Sequence, residues 1–341
     1  MTPTIKNRII YEMGILTKQK LALYYELFKA IDVTFSKEII QVTGLVTNQV
    51  YLKCVGDFWP CVIFSSSFQG AKVVVNTKSG ILQKLERANN MISLRFCFKV
   101  ADKGNPVAFS VNTKSTGYSP YGGSVDMALF NLQFTQRPPD DLIEIMGRIL
   151  DANVNSTKRR EERIPITPDT ARKLSIAKES SIFIQGVPRH CILRDIAFSG
   201  VKIIMMGVAK FLVDREAVLK IDFDDPKECF LMKGKFIRSE VVEGRKELVS
   251  LVVHFEENIV PMGYKIRIND FVSQLRVENR GAEKVSDMPG IPSKPMEEKP
   301  TAQSPLPPPP SAPPKKKEEA KPHATDDPAP IDDSFDLDLP T

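Results

Sequence analysis

The sequence predicts a mainly β protein: two small antiparallel β-barrels with helices at their edges, a short linker between them, and a disordered Pro-rich C-terminal tail. Three observations predict it. Short runs that alternate apolar and polar residues recur through two separate stretches of the chain, as half-buried antiparallel strands do. Turn residues divide these runs at the spacing of a barrel or sandwich. Fifteen of the 26 prolines lie from Pro289 onward, where the alternation stops. At 341 residues the chain is also too long for one ordinary domain.

Taken in order, KQKLALYYELFKAI at 18–31 places Leu21, Tyr24, Tyr25, Phe28 and Ile31 on one helical stripe, with Thr17 as N-cap. The β runs EIIQVTG, QVYLKCV, FWPCVIF, AKVVVN, ISLRFCFKV, PVAFSVN and DMALFNLQF follow, with turns at Gly56-Asp57, Ser79-Gly80 and Gly122-Gly123. RPPDDLIEIMGRILDAN then reads as a helix: Pro138 and Pro139 start it, and Asp140 and Asp141 suit its positive N-terminal end. Leu142, Ile145, Met146 and Ile149 form its buried stripe. The charge run KRREER comes next, and after it a second β pattern: SIFIQG, HCILRDI, GVKIIM, AVLKIDF, CFLMKGKFIR and LVSLVVHFEE. INDFVSQLRVEN closes that pattern as a helix, with Phe271, Val272, Leu275 and Val277 for packing. The expected division is 1–152 for the first barrel and 153–163 for the linker, then 164–280 for the second barrel and 281–341 for the tail. The tail cannot bury enough apolar surface to offset its ordering entropy. Its Pro-rich part reads as a stiff spacer, and its DDSFDLDL end as either a short docking peptide or a solubilising end.

Composition narrows the function classes. A net charge of +5, from 47 Lys and Arg against 42 Asp and Glu, permits an anionic partner but is too balanced for a dedicated DNA binder. Five cysteines, odd in number and without a C-x-x-C pair, read as reduced and mostly buried thiols. Three histidines far apart, His190, His254 and His323, argue against a zinc site or a His-based catalytic set. No stretch has the apolar length of a signal peptide core or a membrane span, so a cytoplasmic protein without membrane insertion is expected.

Most chemical motifs fail. VVVNTKSG at 73–80 and FSVNTKSTG at 109–117 lack the upstream glycine of a phosphate-binding loop and read as strands running into polar turns. The fold context in which a serine-acylating Lys-Thr-Gly works with a Ser-x-x-Lys partner is missing as well. Trp59 sits in an apolar run and reads as core. Asp224-Asp225 has no partner for acid–base work. No catalytic constellation is present, so the chain is expected not to be an enzyme.

One motif survives. Arg159 and Arg163 form Arg-x-x-x-Arg, but so do Arg276 and Arg280, which read as a solvated helix terminus. The spacing alone does not rank the two pairs. What ranks them is LRDIAFSGVKI, some thirty residues beyond the first pair and between two expected strands: Asp195, Ala197 and Gly200. Arg-x-x-x-Arg followed by [Asp/Asn]-x-[Ser/Ala]-x-x-Gly at this distance resembles the signature of PilZ domains, small β-barrels known as receptors for cyclic di-GMP. RIPIT, GVKIIM, LVVHFEE and a C-terminal helix extend the resemblance over roughly residues 156–280. The first half is similar, with weaker motifs, to the divergent barrel preceding PilZ in two-domain members.

The resemblance implies a cyclic di-GMP site at Arg159, Arg163, Asp195, Ala197 and Gly200. Lys158, Arg160, Arg194 and Ser199 would support it, and no cofactor is implied. The chemistry is coherent. Arginine's planar fork can pair with guanine O6 and N7, grip a phosphate or stack on a purine, and Asp195 can accept from guanine N1–H and N2–H. Gly200 permits a close backbone approach or a turn at positive φ. Ala197 stands where the family commonly has serine, which removes one hydroxyl contact. Each residue also has an ordinary structural explanation: Glu161 and Glu162 can neutralise the neighbouring arginines, Asp195 can cap a turn, and Gly200 can sit in a bulge. The resemblance implies a non-enzymatic receptor that changes its interdomain arrangement and signals to an unknown protein partner, in bacterial motility or virulence control. Two alternatives stay open at this point: a ligand-independent protein scaffold and a single-stranded nucleic-acid binder.

Overall fold

The computed structural model describes residues 17–99, 104–245 and 247–286. The N-terminal 16 residues and everything beyond Ser286, including the DDSFDLDL segment, lie outside the described residues.

Residues 17–28 form helix α1, which buries Leu21, Tyr24 and Phe28. Thr17 is already helical, so it is not the N-cap, and the helix ends three residues earlier than expected, leaving Ile31 exposed. The first sheet comprises β1 (Val33–Thr34), β2 (Tyr51–Cys54), β3 (Asp57–Ser66), β4 (Gly70–Asn76), β5 (Met91–Phe98), β6 (Val107–Tyr121) and β7 (Ser124–Phe134). Its order is β1-β3-β2-β5-β6-β7-β4, and a further β3–β4 pairing closes six strands into an antiparallel barrel with β1 appended. Alternate positions turn inward, so Leu52, Val73, Leu94, Phe96 and Phe130 are fully or almost fully buried. Trp59 is core as expected, its indole N–H donating to the Ser79 carbonyl at 3.3 Å.

Two seven-residue helices in this half, α2 (Lys37–Thr43) and α3 (Ile81–Arg87), break the all-strand expectation. Each has two turns, too short for a helical period to emerge from flanking β runs. The run at 73–80 leaves its strand through a 3-10 turn at Thr77–Ser79, whereas the similar run at 109–117 stays inside β6 throughout.

Helix α4 (Asp140–Lys158) follows and buries Leu142, Ile143, Met146, Ile149 and Leu150 against the first barrel. It runs six residues past the expected start of the linker at residue 153, leaving only 159–163 as loop. The second sheet then forms: β8 (Ile164–Pro165), β9 (Ser180–Ile184), β10 (Val187–Ile196), β11 (Gly200–Met206), β12 (Glu216–Asp224), β13 (Lys227–Val241) and β14 (Leu248–Phe255), with helix α5 (Pro168–Leu174) after β8. The order β11-β14-β13-β12-β9-β10-β8, with β10–β11 also paired, closes a second six-stranded barrel with β8 appended.

The two halves repeat each other. Val55 and Gly56 turn β2 into β3 at positive φ, and Gln185 and Gly186, 130 positions on, turn β9 into β10 in the same way. Ser36 and Thr167 cap α2 and α5 with their side chains, and Gly44 and Ser175 end those helices in the left-handed region.

Helix α6 (Met262–Ser286) starts six residues before the expected Ile268 and runs past the expected end of the second barrel at residue 280. Tyr264, Ile268, Phe271 and Val272 enter the second core, Ile266 enters the first, and Val277 is exposed. A polar cluster ties α6 to α4: Asn155 donates to Asn269 at 2.8 Å, and Asp151 accepts from Asn155 and Asn269, each at 2.9 Å. Tyr24 of α1 donates to the same Asp151 carboxylate at 3.4 Å, and burial and that carboxylate together push its phenol above the usual range.

Candidate functional site

The loop between α4 and β8 is positioned by both neighbours. Arg159 caps α4, its N–H donating to the Asn155 carbonyl at 2.8 Å, and the Glu162 N–H closes a turn onto the Arg159 carbonyl at 3.0 Å. β8 then pairs antiparallel with the end of β10, placing Ile164 opposite Ile196 and Pro165 opposite Asp195. This register carries Arg163 to Asp195, and its guanidinium donates to Oδ1 at 2.5 Å.

Four of the six charges of KRREER have partners among the described residues. Arg160 pairs with Glu257 and approaches His254 Nε2 at 2.9 Å. Because a guanidinium only donates, Nε2 accepts and the imidazole proton sits on Nδ1. Glu161 lies 3.6 Å from Arg160 and accepts from the Ser199 hydroxyl at 3.1 Å. Glu162 accepts from Arg276 at 2.8 and 3.1 Å, so Arg276 is an ion-pair partner of the loop and not a solvated terminus. Arg163 takes Asp195. Lys158 and Arg159 have no side-chain partner among the described residues; Lys158 is exposed and Arg159 half-buried. The run is therefore only partly self-neutralised, through Arg160 and Glu161. Its internal charges are largely spent on the second barrel and α6, and among the described residues no carboxylate pairs with Arg159, four positions before Arg163.

The D-x-A-x-x-G segment makes the tight β10–β11 connection. The register shifts between Leu193 and Asp195, a bulge that leaves Arg194 exposed while its carbonyl accepts from Ile166 at 2.8 Å. Ala197 is fully buried: its N–H donates to the Gly200 carbonyl at 2.8 Å, and its carbonyl accepts from the buried Tyr264 hydroxyl at 2.8 Å. Ser199 is buried, with its hydroxyl shared between the Arg160 carbonyl at 3.0 Å and Glu161. Ser199 thus fastens the loop to the barrel. Of the two readings open for Gly200, close approach holds. Its φ is not positive, and a Cβ there would overlap the Val253 carbonyl of β14.

The first barrel repeats this backbone without its charges. Ser65, Ser67 and Gly70 occupy the places of Asp195, Ala197 and Gly200, each 130 positions earlier. Ser67 N–H donates to Gly70 at 2.8 Å, as Ala197 does to Gly200, and a Cβ on Gly70 would overlap the Leu132 carbonyl. Asp32, however, precedes β1 where Arg163 precedes β8, and it pairs with Lys72 at 2.8 Å; Phe28, in the place of Arg159, is core. The cationic half of the constellation exists only at the second barrel. Sequence reading missed Glu257, His254, Tyr264 and the partnership of Arg276, because each reaches the loop through strand register or helix docking.

Chemically, the loop offers one uncompensated guanidinium, a second held in line by a carboxylate, and backbone fixed between them. Such a set suits an anionic ligand with planar hydrogen-bonding faces.

The PilZN3 domain family matches residues 19–153, the first barrel with its flanking helices. The chain is 42% identical over 266 residues to the cyclic di-GMP binding protein of Treponema denticola, covering 77% of this chain and 85% of that one. Among solved structures it is similar to Borreliella burgdorferi PlzA in complex with c-di-GMP, at 22% identity and TM-score 0.34, covering 75% of this chain and 99% of that chain. It is also similar to Escherichia coli YcgR in complex with c-di-GMP, at 14% identity and TM-score 0.26, covering 79% and 95%. With two barrels in tandem, a PilZN3 match in the first and a 42% identical relative along most of its length, the chain belongs to the PilZ domain family.

Proposed function

We propose that the protein is a non-enzymatic receptor for cyclic di-GMP, bound at Arg159, Arg163, Asp195, Ala197 and Gly200. The observation that carries this reading is the state of the two arginines: Arg159 has no side-chain partner among the described residues, and Arg163 is aligned by Asp195. A dinucleotide with two phosphates and two guanines meets both needs. Arg159 supplies a positive charge to pair with an anionic phosphate, and Arg163 presents its fork to a guanine edge or stacks on its face. The second oxygen of Asp195 accepts from guanine N1–H or N2–H, which selects guanine over adenine by roughly 1–3 kcal/mol. Ala197, being buried, contributes backbone shape and no side-chain hydrogen bond. Ser199 and Arg160 hold the loop, while Lys158 and Arg194 add positive potential around the phosphates.

The signalling step in this reading runs through α4. Arg159 is the cap of a helix whose Leu142 and Met146 lie in the first core, so a ligand that shifts Arg159 against the second barrel pulls on the first. The altered arrangement would present a surface to a protein partner in the cytoplasm, in control of bacterial motility or virulence. Titration calorimetry with cyclic di-GMP tests the binding. Saturable binding by the wild type that weakens at least tenfold in Arg159→Ala and in Arg163→Ala is expected. No wild-type binding, or unchanged affinity in both variants, overturns the reading, as does preference for arbitrary oligonucleotides.

A further inference from the structure

We propose that Arg276 of α6 is a positioning residue for the ligand loop, acting through Glu162, and that the loop between the two arginines is preorganised. The inference rests on the cyclic di-GMP reading for its consequence, but not for the positioning itself. Three residues separate Arg159 from Arg163, and all three are pinned from outside the loop. Arg160 is fixed by Glu257 and His254, Glu161 by Ser199, and Glu162 by Arg276. The first two pins belong to the second barrel. The third alone reaches α6, crossing 114 positions of sequence.

The pin at Glu162 has local leverage. The Glu162 N–H donates to the Arg159 carbonyl at 3.0 Å, so the residue held by Arg276 also closes the turn that orients Arg159. Among the described residues Arg276 has no other ion-pair partner, and Glu162 has no other cation. Both side chains are part-exposed, 40% and 37%, so the pair adds little to global stability. Its role is geometric: it removes loop conformations that a binding event would otherwise have to exclude, and preorganisation of this kind lowers the cost of binding. The same contact makes α6 sense the loop, since a ligand that reshapes residues 159–163 must either keep the Glu162–Arg276 pair or break it.

Charge and position make opposite predictions for Glu162, which gives a decisive experiment. Removing its carboxylate makes the loop more positive, so by charge alone a dianionic ligand binds Glu162→Ala more tightly. If Glu162 and Arg276 position the loop, the variant binds more weakly despite the gained charge. The experiment uses the full chain. Hydrogen exchange of the residue-162 amide is followed without ligand in wild type, Glu162→Ala, Arg276→Ala, Arg276→Lys and the double variant, and cyclic di-GMP affinity is measured in the same five proteins. We expect several-fold faster exchange in the Arg276→Ala loop than in the wild type. We also expect roughly three- to tenfold weaker binding in each single variant, no further loss in the double variant, and partial recovery in Arg276→Lys. Unchanged exchange in Arg276→Ala overturns the proposal whether or not ligand binds, and so does tighter binding by Glu162→Ala. Absence of wild-type binding overturns the receptor reading, and the exchange data then decide the positioning role on their own.

Discussion

Gly200→Ala tests why the D-x-A-x-x-G segment ends in glycine. β11 and β14 approach so closely at this point that a Cβ on Gly200 would overlap the Val253 carbonyl oxygen and lie 3.3 Å from the carbonyl carbon and 3.4 Å from His254 Cα. The obstructing atoms are backbone, inside the roughly 3.5 Å at which non-bonded heavy atoms settle, so no side-chain rotation relieves them. Relief requires the strands to separate where Gly200 pairs with His254, at the cost of the Phe255 N–H to Ser199 carbonyl bond at 2.8 Å. The neighbouring Ala197 N–H to Gly200 carbonyl bond, also 2.8 Å, is strained by the same movement. Overpacking a rigid site costs about 1–3 kcal/mol, and the backbone identity of the clash puts this case at the upper end. For a folded unit of this size that is a fall in Tm of about 5–10 °C. Thermal unfolding by circular dichroism, without ligand, measures it against Gly104→Ala, where a Cβ meets nothing within 4 Å. If Gly200→Ala melts within about 1 °C of that control, the steric argument is wrong, and a ligand-contact role is left to explain the glycine.

Three further outcomes follow from the same geometry. Arg159→Ala should leave Tm unchanged because the side chain has no partner among the described residues, whereas Asp195→Ala frees Arg163 and should lower Tm slightly; a larger loss in Arg159→Ala contradicts the assignment of partners. Tyr264→Phe deletes a side-chain donor to the buried Ala197 carbonyl and should cost about 1–2 kcal/mol in urea unfolding, with an unchanged midpoint as the refuting result. Burial pushes the Cys61 and Cys191 thiols up to about 12, above the value near 8.5 of an unfolded cysteine. Their contribution to stability is therefore complete below about pH 8.5 and is lost as pH rises toward 12, because only the unfolded chain forms thiolate in that window. Native iodoacetamide labelling at pH 8.5 should modify the exposed Cys229 ahead of the four buried cysteines, and faster modification of Cys61 or Cys191 would contradict the burial.

Legibility in the sequence tracked the range of the forces involved. The two barrels were readable because strand alternation is local: each inward residue, such as Leu94 or Leu219, declares its face through its immediate neighbours. Arg159, Arg163, Asp195 and Gly200 were readable as a pattern of residue types, and Arg163 does meet Asp195. The helices α2, α3 and α5 were not readable, since seven residues give no period to count. Thr17, Ile31 and Val277 were misplaced because helix ends and exposed flanks depend on what docks beside them.

The sequence by itself determined where apolar faces lie, where glycine is needed and which residues can offer charge, since these follow from chemistry within a few positions. Tertiary structure alone decided the allocation of the KRREER charges. Arg160 reaches His254 across 94 positions and Glu162 reaches Arg276 across 114, contacts made by β14 register and by the docking of α6. The loop is pinned at every residue between its two arginines. Local composition cannot reveal that, because an ion pair's partner is chosen by proximity in space, and proximity in space is the product of the whole fold.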